Sequence, residues 1–188
     1  MKQIAMSLMT CVLAVMLYDC YGQSDNKPAE KKSDIPFSRT DTKKVKKSNE
    51  EWKNLLTPEV YEVARLKGTE RPNTSPFEHS KEIGTYYCAV CGNALFKSDT
   101  KFESGCGWPS FYEPISKKSI IYASDKSYGM ERTEVMCGRC DSHLGHVFND
   151  GPPPTGLRYC INGVVLDFEK AQTAEKKYNK TKKSESGS

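Results

Sequence analysis

The cysteines carry most of the chemistry that this sequence can offer, and their spacing divides them into groups. Two Cys-x-x-Cys pairs stand in "YYCAVCGNALF" and "VMCGRCDSHLGH", and each has a glycine for a tight turn, Gly92 or Gly138. This spacing lets both thiolates of a pair point at one centre, and four thiolates around Zn²⁺ make a closed structural site. The pattern therefore predicts a structural zinc ion bound by Cys88, Cys91, Cys137 and Cys140.

Two other uses of the paired cysteines are open at this stage. In an exported protein, the cysteines could form a disulfide framework, although a Cys-x-x-Cys disulfide closes a strained small ring. A thioredoxin-like redox motif is the second alternative, but the sequence has no βαβ pattern around either pair. A closed site of four cysteines has no free coordination position, so the reactive groups have to come from elsewhere in the chain.

Cys106 and Cys160 remain once the four ligands and the two cysteines near the N-terminus are set aside. Cys106 lies in "SGCGWPSF", where the flanking glycines indicate a flexible or tightly turned loop. Cys160 lies in "GLRYCINGVVLDF", and on a strand it would share one face with Arg158 and Asn162. A nearby guanidinium favours a thiolate, so Cys160 is a candidate nucleophile. An inert buried cysteine is the alternative.

Histidine, aspartate and tryptophan side chains near these cysteines could complete a site. His143, His146 and Asp150 follow the second cysteine pair, whose metal would fix their position. Imidazole is suited to proton transfer near neutral pH, although the two histidines could also be metal ligands or purely structural residues. Trp108 could line a small apolar pocket for a methyl group, or it could belong to the core.

Short elements would have to position these residues. Residues 51–66 read as mostly helical, with a helix start at Thr57-Pro58-Glu59 and an end at Gly68. Strand-like runs follow with turn residues between them, namely "GTYYC", "ALF", "SIIYA", "RTEVMC", "HVF" and "YCINGVVLDF". Because no long helical pattern separates these runs, we predict a small all-β body with a helical N-terminal arm.

The two ends of the chain differ from this body. Residues 1–22 have a basic start, a mostly apolar run and a small residue at Gly22, which is the pattern of a secretory signal peptide. A buried N-terminal helix is one alternative, and a lipid anchor on Cys20 is another. Residues 23–50 and 169–188 have few large apolar side chains, so we predict a disordered linker and a disordered basic tail around a domain at 51–168.

Charge gives little support for nucleic-acid binding. The net charge is +4, but residues 51–168 contain 13 Lys and Arg against 15 Asp and Glu, so the basic excess lies in the ends. The leader predicts an exported protein that is periplasmic or in the cell envelope, secreted or lipid-anchored. Membrane contact is expected only through such an anchor, because the apolar run is shorter than the roughly 20 residues of a membrane span.

Taken together, the cysteine pairs, "SGCGWPSFYEPI" and "EVMCGRCDSHLGHVFNDGPPPTGLRYCIN" resemble methionine-R-sulfoxide reductase, the B type of the methionine sulfoxide reductases. The resemblance covers about residues 52–168. It implies an oxidoreductase that repairs oxidised proteins under oxidative stress, each enzyme type acting on one sulfoxide epimer. It also implies a mainly β fold of two antiparallel sheets, tent-like or sandwich-like, with a zinc clip and flanking helices.

The resemblance assigns roles to the remaining candidates. Cys160 would attack the sulfoxide sulfur of an oxidised protein or peptide and become a sulfenic acid, and Cys106 would form a Cys106–Cys160 disulfide with it. A thioredoxin-like donor would then reduce the disulfide, and the enzyme is expected to act as a monomer. The pocket wall would be Trp108 and Phe148, Arg158 would favour the thiolate, and the groups orienting and protonating the sulfoxide oxygen would be His143, His146, Asp150 and Asn162.

Two rival functions use only part of these residues. A noncatalytic zinc-binding module would explain the four ligands but leave Cys106 and Cys160 without a role. A hydrolase with a Cys160 nucleophile and a histidine base would need neither a resolving cysteine nor a reductant.

Overall fold

The structure, a computed structural model, describes residues 36–185, without the side chains of residues 178–179 and those from 182 onward. The predicted signal peptide at 1–22 and the first part of the predicted linker lie outside these residues. Within the range described, no helix combines the length and the apolar character needed to cross a membrane.

Two short helices make up the stretch at residues 51–66 that was predicted to be mostly helical. Helix α1 spans Asn49–Leu55, and its N-terminus is closed by a capping box between Ser48 and Glu51. Helix α2 spans Pro58–Leu66, and the Thr57 hydroxyl accepts a hydrogen bond from the first turn, as the helix start predicted. The proline at the first position of α2 cannot continue α1, so the chain turns between the two helices.

The left-handed residue that ends α2 is Lys67, with φ 60°, and not the glycine that follows it. The N–H of Gly68 still donates to the carbonyl of Glu62 over 3.0 Å. A left-handed lysine is less favourable than a glycine. Its ammonium group, however, lies 2.7 Å from the carboxylate of Glu134, a side chain that is 1% exposed. This ion pair explains why a lysine occupies the position.

The described residues contain nine strands in two antiparallel sheets, which confirms the predicted mainly β fold. One sheet has three strands in the order β2-β1-β9, and the other has six in the order β3-β4-β8-β7-β6-β5. The strands are β1 Gly84–Cys88, β2 Ala94–Lys97, β3 Lys101–Phe102, β4 Ser110–Phe111, β5 Ile120–Asp125, β6 Arg132–Cys137, β7 His143–Phe148, β8 Arg158–Ile161 and β9 Leu166–Lys170.

Aromatic side chains from both sheets form the core between them. Phe96 on β2 stacks on Phe111 of β4, with ring centroids 4.4 Å apart. Tyr86 on β1 meets Phe111 edge to face at 5.0 Å, and Tyr159 on β8 lies 5.8 Å from Phe96. Such pairs contribute beyond the area that they bury, and here they fix the six-stranded sheet on the three-stranded one.

The apolar run predicted at 159–168 is not one strand but two. Strand β8 ends at Ile161 in the large sheet, a 3-10 turn spans Gly163–Val165, and β9 joins the small sheet. A Cβ atom on Gly163 would lie 1.8 Å from the Ser75 hydroxyl, so the chain can cross between the sheets here only with a glycine.

Residues 36–48 correct part of the predicted disordered linker, because they pack against the body. The buried guanidinium of Arg139 donates to the carbonyls of Pro36 and Lys43 over 3.0 and 3.1 Å, and it pairs with the Asp41 carboxylate at 3.1 Å. The same guanidinium donates to the Cys91 carbonyl. Composition could not indicate this, since a buried arginine far along the chain supplies the contacts.

The predicted disordered tail is also partly ordered. Residues 169–170 belong to β9, and helix α3 spans Ala171–Glu185. The range 171–185 has neither proline nor glycine, which permits the helix, and Lys177 forms an ion pair with Glu169. The described side chains of α3 are exposed, so this helix packs little against the domain.

Candidate active site and metal centre

The four paired cysteines form one buried cluster, where the turn after β1 meets the turn after β6. Their Sγ atoms all lie within 4.8 Å of one another. The Sγ atoms of Cys88 and Cys140 are 3.8 Å apart, and those of Cys91 and Cys137 are 3.6 Å apart. Four sulfurs placed tetrahedrally around an ion at about 2.3 Å would be about 3.8 Å from each other. The cluster therefore has the size required to hold a metal ion.

Each cysteine pair is followed by a residue with a left-handed backbone. Gly92 has φ 79°, and Asp141 has φ 58° at the equivalent position of the second pair. Their N–H groups donate to the carbonyl of the first cysteine of the pair over 2.8 and 3.0 Å. Gly138, which the sequence suggested as a turn residue, instead permits close packing, since a Cβ there would lie 2.0 Å from the Lys118 carbonyl oxygen.

Hydrogen-bond donors surround one sulfur of the cluster, which favours its thiolate form. Cys137 Sγ accepts hydrogen bonds from the Arg139 N–H at 3.4 Å and the Asn93 amide at 3.6 Å. Interactions with the other cluster thiols, Cys140 first, lower the pKa of Cys137 well below the ordinary cysteine value. The same coupling raises the pKa of Cys88 and Cys91, so the spacing of the four sulfurs, and not their titration, fits a bound cation.

The large sheet places the other candidate residues on one face. Cys160 on β8 lies opposite His146 of β7 and Ser110 of β4, while Arg158 lies opposite Phe148. Directly paired residues of antiparallel strands share a face. The alternate residues of β8 are buried in the core. The register thus agrees with the prediction that Arg158 and Cys160 point the same way.

Cys106 lies in the loop 103–109, which joins β3 to β4 beside β8. One side of the loop is anchored: the Gly107 carbonyl accepts from the Asn73 N–H at 2.8 Å, and a Cβ on Gly107 would lie 2.7 Å from that of Pro72. The other side is open, since a Cβ on Gly105 would meet no atom within 4 Å. Both glycines have φ values in the left-handed region.

The two remaining cysteines are in contact. The Sγ atoms of Cys106 and Cys160 lie 3.5 Å apart, and both residues are half-buried free thiols. A disulfide requires about 2.05 Å between the sulfurs. A small movement of the loop is therefore enough to join them.

The environments of these two thiols differ. Burial raises the pKa of Cys160 to about 12, with Cys106 adding to the rise, whereas Arg158 lowers it. Burial also acts to raise the pKa of Cys106, but hydrogen bonds, from Ser104 first, outweigh burial and leave this pKa below its ordinary value. Arg158 thus acts in the predicted direction, yet in the substrate-free protein the negative charge favours Cys106.

A cavity of about 130 Å³ opens above the Cys160 sulfur. Five residues singled out from the sequence line it, together with Thr69 and Arg132, which the sequence did not indicate. Aromatic rings and polar groups therefore share one small space. The five predicted residues are Trp108, His146, Phe148, Cys160 and Asn162.

A β-bulge brings the two histidines of β7 to one side of the sheet. The register of β7 on β6 shifts between Val135 and Met136, so that β7 contains one extra residue, Leu144. Residues three apart on a regular strand point to opposite faces. With the bulge, the rings of His143 and His146 lie 5.4 Å apart. The bulge was not predicted, although an isolated glycine inside a strand, here Gly145, is a signal for one.

His143 is buried beside His146 and does not line the cavity. Its Nδ1 lies 2.8 Å from Glu134 Oε1, and Glu134 also binds the ammonium group of Lys67. Among the described residues, nothing forms a hydrogen bond with its Nε2. Burial lowers the pKa of His143 below the ordinary histidine value.

His146 lines the cavity and is held by a carboxylate that the sequence did not reveal. Its Nε2 lies 2.7 Å from Asp125 Oδ2, and Arg132 binds the same oxygen at 2.7 Å. Hydrogen bonds from Ser127 first, and then from His146, hold the pKa of Asp125 well below the usual carboxyl range. Asp125 meets His146 only through the pairing of β5, β6 and β7, which no short motif encodes.

Asp150 does not line the cavity, although the sequence predicted that it would act on the substrate. Its carboxylate binds Arg158 with two hydrogen bonds of 2.9 Å. The Arg158 guanidinium lies 4.4 Å from the ring centroid of Phe148. Asp150 therefore holds Arg158 above β8. This contact explains the position of Asp150 without any contact with a substrate in the cavity.

Asn162 follows β8 and lines the cavity, but its amide group is already engaged. The Nδ2 donates to the Leu144 carbonyl over 3.0 Å, and the Oδ1 accepts from the Glu70 N–H at 3.0 Å. The side chain is buried. Its contacts fix the bulged strand β7 to the end of β8.

Glu70 connects several walls of the cavity and was missed from the sequence. Its carboxylate accepts hydrogen bonds from the N–H groups of Gly163 and Val164, and its carbonyl accepts one from Trp108 Nε1 at 3.2 Å. The loop that carries Glu70 thus ties Trp108 to the end of β8. A single glutamate in an irregular segment has no sequence signal that would have indicated this role.

The protein is mainly β, has two contacting thiols at a small cavity, and has four further thiols in a separate cluster of the size of a metal site, called the clip below. These features are typical of thiol-based oxidoreductases. A model of the SelR domain matches residues 56–170. The chain belongs to this family, whose B-type methionine sulfoxide reductases the sequence motifs resemble.

Curated relatives agree with this assignment, and each is named "Peptide methionine sulfoxide reductase MsrB". The protein from Pseudomonas putida is 61% identical over 126 residues, which cover 67% of this chain and 95% of the relative. That from Methanosarcina mazei is 59% identical over 133 residues, covering 71% of this chain and 95% of the relative. The protein is therefore an enzyme, an oxidoreductase that reduces methionine sulfoxide.

Proposed function

We propose that the protein reduces methionine-R-sulfoxide, free or in oxidised proteins and peptides, by a two-cysteine mechanism that repairs oxidative damage. The observation that carries the proposal is the 3.5 Å contact between Cys106 Sγ and Cys160 Sγ beneath the cavity. The resemblance to the B type supports the choice of the R epimer, since each enzyme type acts on one epimer.

The cavity walls suggest how the sulfoxide is oriented. Trp108 and Phe148 offer apolar surface for the methyl group, and His146 offers a ring nitrogen for the sulfoxide oxygen. A sulfoxide oxygen leaves readily only when it is protonated, so an acid has to lie beside the attacking sulfur. The Asp125 carboxylate, 2.7 Å from His146 Nε2, orients the imidazole so that its other ring nitrogen can serve the sulfoxide oxygen.

The reaction begins when the Cys160 thiolate attacks the sulfoxide sulfur. The oxygen is transferred to the Cys160 sulfur, methionine leaves, and Cys160 becomes a sulfenic acid. Cys106 then attacks the Cys160 sulfur, forming the disulfide and releasing water. A thioredoxin-like dithiol reduces this disulfide by exchange, attacking from the open side of the Cys106 loop.

The first step requires the thiolate form of Cys160. Its pKa of about 12 means that the thiol is mostly protonated before the substrate binds. Arg158 favours the thiolate, and Asp150 keeps the guanidinium in place. Arg158 and Asp150 thus assist the nucleophile, whereas His146 assists the leaving oxygen.

The test uses each pure sulfoxide epimer with dithiothreitol as reductant. We expect methionine from the R epimer and almost none from the S epimer. Equal rates with both would overturn the stereochemical part of the proposal. Turnover without any reductant would instead indicate a hydrolase, and no methionine from either epimer would indicate a binding module.

A second test concerns the role of Cys106. The variant Cys106→Ser should lose turnover supported by thioredoxin, because no disulfide can form, while dithiothreitol still reduces the Cys160 sulfenic acid. Unchanged turnover with thioredoxin would remove Cys106 from the mechanism.

We further propose that Zn²⁺ is the metal of the four-cysteine clip. The sulfur set and its spacing suit zinc, and a closed set of four thiolates supplies structural stability without catalysis. Elemental analysis of the purified protein should give about one zinc per chain.

Export remains part of the proposal on the basis of residues 1–22. The mass of the natively produced protein would give the cleavage position and would reveal a lipid on Cys20. An intact mass that includes residues 1–22 would contradict export by this route.

A further inference from the structure

Two serine hydroxyl groups surround the Cys106 sulfur and are linked to each other. Ser104 Oγ lies 3.0 Å from Cys106 Sγ, and Ser110 Oγ lies 3.5 Å from it. The two hydroxyl oxygens are 2.7 Å apart. Ser110 is 1% exposed and lies opposite Cys160 in the pairing of β4 with β8. Both reactive thiols therefore share this corner of the sheet with the serine pair.

The protons in this cluster allow both hydroxyls to support the sulfur when Cys106 is a thiolate. A thiolate only accepts, and each hydroxyl has one proton to donate. Ser104 then donates to Cys106 Sγ, while Ser110 donates to Ser104 Oγ or to the sulfur itself. Hydrogen bonds in such a chain strengthen one another. Both hydroxyls therefore favour the charged sulfur.

The same cluster can accommodate the neutral thiol. The Ser110 hydroxyl can donate to the Trp108 carbonyl at 3.2 Å, and the Cys106 thiol can donate to that carbonyl at 3.6 Å. Neither protonation state leaves a buried hydroxyl without a partner, so the serines can follow the sulfur through the reaction cycle.

We propose that Ser104 and Ser110 are a catalytic donor pair that holds Cys106 as the thiolate that attacks the Cys160 sulfenic acid. This inference rests on the proposed function, which makes Cys106 the resolving residue. In the step, an electron pair of Cys106 forms the S–S bond and the S–O bond breaks. The oxygen leaves as hydroxide and takes up from solvent the proton that Cys106 released on becoming a thiolate, so that one water is formed. The Cys106 sulfur is oxidised, and the sulfenic sulfur is reduced.

Other charges also act on Cys106. Cys160 and Arg158, both on β8, interact with its sulfur. Arg158 favours the thiolate, whereas a charged Cys160 would oppose it. After the first step Cys160 is a sulfenic acid and no longer a thiolate, so its opposition falls when the resolving attack is required. The lowered pKa of Cys106 in the reduced protein agrees with the donor pair.

The test is a single turnover of the full chain with methionine-R-sulfoxide, using rapid quenching. Methionine release measures the Cys160 step, and the loss of dimedone-reactive Cys160 measures the Cys106 step. For Ser104→Ala we expect unchanged methionine release and about tenfold slower disulfide formation at pH 7, the size expected for one hydrogen bond to a charged group. Ser110→Ala should act in the same direction.

Two control variants separate the donor role from general packing. Ser104→Thr keeps the hydroxyl and should restore most of the rate of disulfide formation. Ser116→Ala removes a hydroxyl that pairs with Ser119 at 3.0 Å, on the turn before β5, and should leave both steps unchanged. Thermal unfolding of each variant verifies that it is folded.

The pH profile gives the sharpest readout. Without the donors, the pKa of Cys106 rises, but a thiolate of higher pKa is a stronger nucleophile. Disulfide formation in Ser104→Ala should therefore recover at high pH and reach or exceed the wild-type rate. Alkylation of Cys106, followed on the tryptic peptide 102–117, should show the same upward shift in pKa.

The outcomes distinguish this inference from the function on which it rests. If wild-type protein releases methionine and forms the disulfide, but Ser104→Ala and Ser110→Ala change neither disulfide formation nor its pH profile, the donor pair is wrong and the enzyme mechanism stands. Equal slowing of both steps at every pH would also overturn it. Failure of wild-type protein to form the disulfide would refute the proposed mechanism itself.

Discussion

The metal clip and the reactive pair use the same residue type in different surroundings. The four clip sulfurs are buried and close to one another, so a single cation could bind all four. The sulfurs of Cys106 and Cys160 are only half-buried, and they face a cavity and an open loop. The difference teaches that access, and the number of neighbouring sulfurs, decide whether a thiol is structural or reactive.

The clip and the reactive pair also differ in how firmly they are attached to the fold. The clip lies on two tight turns whose left-handed residues fix both ends of each pair. The reactive pair joins a residue of strand β8 to a loop that is anchored on one side only. The clip can therefore hold a fixed geometry, while the loop leaves Cys106 free to approach Cys160.

The largest effect is expected at Cys160, the proposed nucleophile. Cys160→Ser should abolish reduction of methionine sulfoxide, because a serine hydroxyl cannot replace the thiolate as acceptor of the oxygen. Metal content and unfolding temperature should remain at wild-type values, since the clip is separate. Activity measured with dithiothreitol tests the first point, and retained activity would mean that the nucleophile is another residue.

The opposite pattern is expected for the clip. Cys88→Ser should lose the metal and lower the free energy of unfolding by several kcal/mol, which corresponds to a fall of about 10 °C or more in Tm. Elemental analysis and thermal unfolding measure both effects. A stable metal-free variant would show that the cluster does not need an ion, and a chelator added to wild-type protein provides an independent comparison.

A smaller effect should appear at the charge that favours Cys160. Arg158→Met should raise the pKa of Cys160, because the guanidinium lowers it in the wild-type protein. Since less thiolate is then present at neutral pH, methionine release should slow by about tenfold at pH 7 for each unit of pKa and recover as the pH rises. The variant Asp150→Asn keeps the guanidinium and should change the profile less. A rate lowered equally at all pH values would contradict this role.

The smallest effect is expected at Glu70, which positions cavity walls without contacting either sulfur in the hydrogen-bond network. Glu70→Ala should raise KM more than it lowers kcat and reduce stability by about 1–3 kcal/mol, because two N–H groups lose a charged acceptor. The fluorescence of Trp108 should change, whereas buried Trp52 should contribute a constant background. Glu70→Gln should recover part of each loss, and a pure loss of stability with unchanged KM would count against the positioning role.

Local patterns were sufficient for much of the fold. The strands β1 and β6 have the limits of the predicted runs "GTYYC" and "RTEVMC", and Thr57 caps α2 as its sequence indicates. These features depend on neighbouring residues alone. The division of 159–168 between two sheets depends instead on which partner strands lie nearby, and a continuous apolar run cannot reveal that.

The site shows the same limit. Spacing alone grouped the four clip cysteines, because each pair is local, and the motifs singled out five residues that line the cavity. Asp125 and Glu70 were missed because each meets its partner through long-range pairing. The engaged amide of Asn162 and the ion pair of Asp150 with Arg158 likewise required the folded geometry.

Arg139 has a practical consequence for anyone who shortens the chain. The family match begins at residue 56, but the backbone carbonyls that accept hydrogen bonds from Arg139 include those of Pro36 and Lys43. A chain that begins at residue 56 would leave the buried Arg139 guanidinium, beside the sulfur cluster, without these acceptors. A shortened chain that keeps these contacts therefore has to begin at or before Pro36.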